Sequence, residues 1–445
     1  MILSAADAQG LTAKVLALSQ ADSCTVTLSG SEQRHIRFAQ NMATTNGAPS
    51  DVEISVESSF GRRAGSASGT LLDDASLAAL VAASEATAQR APENPEYLPP
   101  IGPQKYGAGS AFFPSTQGAS SVQLAAAVQP VMQQAQAKNL QASGFLQIGN
   151  SFSSFATSKG LFVFDQSTDV LHTVSVRTPD GTGSGWAGTT LADFARLDAS
   201  AMGQVALDKA LRSQKPHRLP PGKYTVILEP SAVSDLVGIM VEDEFDQRAA
   251  DEGRNFATKK GGGSRLGENV FGKNVTITSD PNDPVVPGAI YSDDGLPAQR
   301  TAWVENGVLK NLQCGRYWAR KSGRAPVPSP TCLTMAGGTT STADMIKQTK
   351  RGLLITRFWY IREVDPQTVL LTGLTRDGVF LIEHGEITRP VCNFRFNESP
   401  VAMLNKVIAM GPSVRTYGEE VTDMPLSVPT LLIDEFTLSS VSDAV

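Results

Sequence analysis

Lys223–Met240, KYTVILEPSAVSDLVGIM, reads as a strand feeding straight into a helix. Tyr224, Val226 and Leu228 alternate with Thr225 and Ile227, and this β-branched, alternating content favours a buried strand. Pro230 suits the first helical turn, where its missing N–H costs nothing. Ala232, Val233, Leu236, Val237 and Met240 then recur at helical spacing and mark a core-facing stripe.

Beyond this unit, Glu242–Gly253 (EDEFDQRAADEG) and the glycine-rich Ala257–Val275 read as mobile loop. From Asn274 the chain turns β-rich: NVTITSD, RTAWVENGVLKN, LITRFWYIREV, TVLLTGLTR and GVFLIEHGEITRPV follow in order. Glu305-Asn306-Gly307 and Glu383-His384-Gly385 are hairpin signals between apolar strands. The spacing of Val401, Leu404, Val407 and Ile408 predicts a helix over Ser399–Met410, and Thr430–Leu438 reads as a last strand.

Two linkers lie on the N-terminal side. Ser213–Gly222 (SQKPHRLPPG) precedes the opening unit, and Ala91–Pro103 (APENPEYLPPIGP) stops a helix and extends the chain. They divide the chain into residues 1–100, 104–215 and 222–440. In the first segment, Leu11, Val15 and Leu18 mark a helix. Strands at Cys24–Ser29, His35–Ala39, Asp51–Ser58 and Arg62–Thr70 come next, then a helix capped by Asp73 or Asp74 over Leu77, Leu80 and Val81. The second segment repeats helix, strands, helix. Ser120–Asn139 should be kinked or broken at Pro130, strands follow at Gly144–Gly149, Leu161–Asp165 and Val170–Arg177, and a helix covers Ala192–Leu211. The expected class is α+β: an N-terminal α/β region of mixed sheets with helices, then a β-rich, antiparallel, barrel-like C-terminal domain.

Composition narrows the function. Hydrophobic content of 41% and charged content of 18% are globular values. A net charge of −6 argues against direct nucleic-acid binding, and the Lys259-Lys260 pair beside Gly261–Gly263 reads as loop. Cys24, Cys314, Cys332 and Cys392 show no CxxC spacing, which points to reduced thiols. No run reaches the ~20 apolar residues of a membrane span. The opening MILSAADAQGLTAKVLALS lacks the basic and apolar regions of a secretory leader, so a cytoplasmic location is expected.

The C-terminal segments resemble the TldD/PmbA family of two-component metalloproteases. Asp293-Asp294-Gly295-Leu296-Pro297, ENGVLK, RGLLITRF, GVFLIEHGEITRPV and VPTLLIDEFTL all stand in that family's order, and the likeness runs from Asp51 to Leu438. In the catalytic branch, the opening strand and helix carry HExxxH, usually HEAVGH. Setting its Val-Gly on Val237-Gly238 puts Ser234 and Asp235 where His-Glu should be, and Ile239 at the second His. Two imidazoles one turn apart grip zinc, with the Glu as base for the bound water. Isoleucine has no lone pair, and a neutral serine hydroxyl is a poor zinc ligand. The catalytic branch also supplies a cysteine ligand near the segment written here MGPSVRTYGEE, and Met410–Glu420 contains none. The resemblance is therefore to the non-catalytic TldE/PmbA branch. It implies no cofactor in this chain, zinc in an HExxxH-bearing TldD-like paralogue, and small unfolded peptides as substrate. The family's older label, modulator of DNA gyrase, supports an alternative: a homodimeric binding or assembly protein without a protease partner.

Other candidates are read from the residues alone. Asp235, Glu242 and Asp246 would share a face if the helix continued, and such a stripe could hold a hard cation or simply face solvent. Arg357, Phe358, Trp359 and Tyr360 could wall a peptide cleft, form a subunit contact or pack a core; alternation puts Phe358 with Tyr360 and Trp359 on the other face. Gly65–Gly69 (GSASG) lacks the setting of a hydrolase elbow, and Gly181–Gly188 (GTGSGWAG) reads as a strand turn. His35, His172, His217 and His384 lie far apart in sequence. Finally, the apolar strands around Leu353–Ile361 and Val379–Ile382 demand cover, and a second chain of the same fold would supply it as a dimer.

Overall fold

The opening unit folds as read. In the computed structural model, which describes residues 1–421 and 424–442, Gly222–Leu228 is a strand and Pro230–Glu244 a helix whose apolar stripe is fully buried. The strand pairs in parallel with Arg351–Asp365 on one side and antiparallel with Leu426–Val441 on the other. Arg351–Asp365 pairs with Leu370–Glu383, which pairs with Phe394–Glu398, which returns to Leu426–Val441. Five strands thus close on themselves into a barrel. Closure removes the edges that bare strands would expose.

Alternation along these strands divides their side chains between two cores. Val226, Leu228, Leu353, Ile355, Leu431 and Ile433 share the main core with Phe358, Phe394, Phe396 and Phe436 and with the helix residues Val233, Leu236 and Val237. Ile227, Leu354, Phe380, Ile382 and Leu432 form a second core with Met345 of the helix Thr342–Gln348. The apolar strands that seemed to need a second chain are therefore covered within this one. Both hairpin signals are tight turns with two left-handed residues, Asn306-Gly307 and His384-Gly385.

The predicted helix over Ser399–Met410 shrinks to Pro400–Met403, and Val407–Thr416 is a strand instead. Pairing with Leu426–Val441 places Val407 opposite Ile433 and Met410 opposite Leu431, and this overrides the helical spacing.

The N-terminal half is one open sheet of seven strands, in which segments 1–100 and 104–215 meet. Ser23–Ala39 pairs with Gln141–Thr157 from Thr25 to Phe38. The two short strands read at Leu161–Asp165 and Val170–Arg177 are one, Phe162–Arg177. Helix Ser121–Ala137 continues through Pro130; Leu124, Val128, Val131 and Ala135 are all fully buried, which outweighs the lost hydrogen bond. The helix expected from Ala192 begins at Ala199, capped by Asp198, after a short 3₁₀ turn at Phe194–Arg196. GTGSGWAG is mostly strand, within Ser184–Leu191. A Cβ on Gly185 would stand 2.1 Å from the Ala206 carbonyl, so glycine lets the helix Ala199–Arg212 approach. Helices cover the sheet face carrying Val26, Leu28, Phe38, Leu146 and Val174. The other face turns toward the C-terminal domain.

The four cysteines are free, three of them buried. Among the described residues, no helix is long and apolar enough to cross a membrane.

Candidate functional site

The site is built on the first two turns of the helix Pro230–Glu244. Pro230 starts it directly after the buried strand, so Ser234 and Asp235 are carried into the interior, where they are 0% and 1% exposed. The Ser234 hydroxyl donates to the Ser231 carbonyl at 3.0 Å. Asp235 Oδ1 accepts from the Glu420 N–H at 3.0 Å. Tyr417–Glu420 lies across this turn, and Gly418 is what permits it: a Cβ there would sit 2.3 Å from Asp235 Oδ1. Burial pushes the Asp235 carboxyl up to about 7, helped by the Glu420 and Glu419 charges and opposed by the Glu420 N–H and Arg357.

Arg357 is the second element. Its side chain is buried, with Nε donating to Asp377 Oδ2 at 2.8 Å and Nη2 2.7 Å from the same oxygen. Nη1 pairs with Glu419. The Trp186 ring lies under the guanidinium, 4.5 Å from its centroid, and stacks in turn on Tyr417 at 6.3 Å. Ser184 donates its hydroxyl to the other Asp377 oxygen. Sheet strand, barrel strand and the 417–420 segment are thus joined around one cation. Removing one partner of a buried pair of this kind leaves the other charge stranded.

These residues do not form a zinc ligand set. Ile239 is half-buried against the main core, and both oxygen-bearing neighbours are already bonded within the chain. Among the described residues, no group of three or more His, Cys, Asp or Glu side chains is placed to share a metal ion.

The Arg357–Tyr360 run is split. Phe358 is core, 4.5 Å from Phe396 and 5.7 Å from Phe436 between ring centroids. Tyr360 is 51% exposed, with φ of 56°. Bulges in the pairing with Leu370–Glu383 break the alternation, so Phe358 and Tyr360 do not share a face. Trp359 carries Arg376 over its ring at 4.1 Å. The carboxylate stripe is also broken: the helix ends at Glu244, and Asp246 caps the next one, Gln247–Asp251. Asp235 is buried and Glu242 exposed. Instead Glu244 is buried and faces Glu363, Asp243 and Asp246, and burial with these like charges raises its carboxyl well above the usual range.

GSASG is an edge strand packed on the helix Asp74–Arg90. His172 is buried under helices, its pKa lowered to about 4 by desolvation, while His384 sits in a hairpin turn. Trp186, Asp377, Glu419 and Tyr417 had no motif to announce them. The one hint was Asp377-Gly378 inside an apolar strand, where both residues take positive φ.

Tyr417 also lines a cavity of about 850 Å³. Its floor is part of the face of the N-terminal sheet turned away from the helices. Its wall comes from Pro287–Ala289, Thr331, Arg415, Tyr417 and Met424 of the C-terminal domain.

Sequence comparison agrees with this architecture. Residues 221–440 match the PmbA/TldA metallopeptidase C-terminal domain, and residues 121–214 match the central domain of the same family. The chain belongs to the TldD/PmbA metallopeptidase family. A metalloprotease of Methanothermobacter thermautotrophicus is 25% identical over 294 residues, covering 60% of this chain and 61% of that protein. A second, from Methanocaldococcus jannaschii, is 26% identical over 46% of this chain and 47% of its own length. The chain thus aligns with less than two thirds of these relatives. The crystal structure of TldE from Thermococcus kodakarensis superposes with a TM-score of 0.85 over 98% of this chain and 99% of that one, at 16% identity, a likeness of fold.

Proposed function

We propose that this chain is the non-catalytic subunit of a two-component metallopeptidase acting on small unfolded peptides, with zinc and the HExxxH motif in a paralogous partner. The observation that carries this reading is the state of the three motif positions. Ser234 and Asp235 are buried and bonded within the chain, and Ile239 offers no lone pair. In the catalytic arrangement, two imidazoles hold the metal and a carboxylate takes a proton from its water. Here the carboxylate anchors the 417–420 segment instead. The residues that remain are suited to shaping and binding, not to activating water.

Co-purification with an HExxxH paralogue, followed by peptide cleavage and metal analysis, tests this reading. The expected result is a complex that cleaves peptides with its zinc in the partner, while the isolated chain holds no stoichiometric zinc and cleaves nothing. One tightly bound zinc per isolated chain, lost together with activity on chelation, overturns it. Stable self-association with no complex formation favours the homodimeric binding role instead.

A further inference from the structure

The floor of the large cavity concentrates serines and carboxylates within a lining that is otherwise largely apolar, the usual make-up of a ligand site. Register explains what lies there. Ser31 pairs with Ser151 and Ser151 with Ser167, and the two hydroxyls of the latter pair are 2.9 Å apart. Ser29 pairs with Ser153, and Ser153 with Asp165. On the outer strand, Asp51 stands opposite Ser31 and Glu53 opposite Ser29. The floor therefore carries two rows of serines, one running from Asp51 to Ser167 and the other from Glu53 to Asp165.

The charge is one-sided. Among the described lining residues, Asp51, Glu53, Asp165 and Asp169 are acidic, and Arg415 is the single Lys or Arg. Asp165 is already used: it accepts from the Ile290 and Gln166 N–H groups and ties the two halves of the molecule. Asp51 and Glu53 are exposed toward the opening and have no cation within ion-pair distance among the described residues. A single Arg does not balance this lining, and the volume is that of a site for several residues of peptide.

We infer that this cavity binds extended peptide segments bearing lysine or arginine side chains, with the serine rows meeting the main chain and Asp51 and Glu53 meeting the cation. This deepens the accessory-subunit reading by naming its substrate class. It makes a claim about binding by this chain alone.

The test uses the purified full-length chain and three fluorescent ten-residue peptides, identical except for two central positions occupied by Lys, Ser or Glu. Anisotropy at low and high salt gives the affinities. The Lys peptide is expected to bind about tenfold tighter than the Glu peptide at low salt, with the difference shrinking at high salt. Asp51→Asn combined with Glu53→Gln should reduce it to about twofold, and Asp51→Lys with Glu53→Lys should reverse it. Both positions are exposed, so the variants keep the core intact; a thermal melt matching the unmodified chain confirms it. Equal binding of the three peptides, no binding by any, or a Lys preference untouched by the variants overturns the inference. Because no cleavage is read, these outcomes leave the partner-dependent reading to its own experiment.

Discussion

The two halves of the molecule solve the same problem in different ways. The N-terminal sheet is open: helices cover one face, and the other packs Phe155 and Val163 on Ile290 and turns its serines and carboxylates into a cavity. The C-terminal strands close into a barrel and bury an apolar core on each face. An open sheet can spare a face for a ligand because its stability comes from the helix-covered side. A closed barrel spares less, and its buried ion pair sits where it meets the sheet. Arg357, Asp377, Glu419 and Asp235 are placed there.

This contrast predicts unequal sensitivity to mutation. The largest effect is expected inside the barrel. Phe358→Ala removes a fully buried ring packed on Phe396 and Phe436 and should cost about 3–5 kcal/mol in denaturant unfolding. A loss under 1 kcal/mol would mean the barrel is not the apolar core described.

Next comes the seam. Arg357→Met strands Asp377, whose side chain is 3% exposed, and should cost about 3 kcal/mol. Adding Asp377→Asn should recover part of that loss, and the double-mutant cycle measures the coupling. Strictly additive losses would show that the two groups act independently.

Asp235 gives a smaller effect that depends on pH. Its folded carboxyl titrates near 7, above its ordinary value of 3.8, so the folded state holds the extra proton between them. Its contribution is complete below about pH 4 and is lost as pH rises through about 7. Asp235→Asn keeps an acceptor for the Glu420 N–H and cannot ionise. Thermal melts from pH 5 to 8 should show the variant losing less stability than the unmodified chain, by on the order of 2 kcal/mol. Parallel curves would remove Asp235 as a buried titrating group. The smallest effect belongs to the cavity floor: Ser151→Ala should change stability by no more than about 1 kcal/mol.

How far the sequence disclosed these features follows the range of the forces involved. The strand and helix at Lys223–Met240, the two hairpin turns and the apolar strands were legible because each is set by neighbours a few residues away. The loss of helix beyond Met403 was not, because Val407 and Met410 find partners in Ile433 and Leu431, more than twenty residues on. Nor was the pairing of Ser23–Ala39 with Gln141–Thr157, which makes one sheet of two segments. At the site, the resemblance singles out Ser234, Asp235 and Ile239 by their position in a motif, but not what surrounds them. Trp186, Asp377 and Glu419 come from separate strands and a loop, and only folding brings them to Arg357. Tyr360 departed from its expected face because a bulge, invisible in the residue pattern, intervenes.

The pairing of Gly222–Leu228 with Leu426–Val441 also sets an order of events. On the ribosome, the N-terminal sheet has all its strands once Leu191 has emerged. The barrel must wait for Leu426–Val441, whose pairing joins segments some two hundred residues apart. Until then Phe358, Phe394 and Phe396 have no Phe436 to close over them, and the half-made barrel presents apolar surface to its surroundings. A nascent chain stalled before that strand is thus the form of this protein most in need of a chaperone.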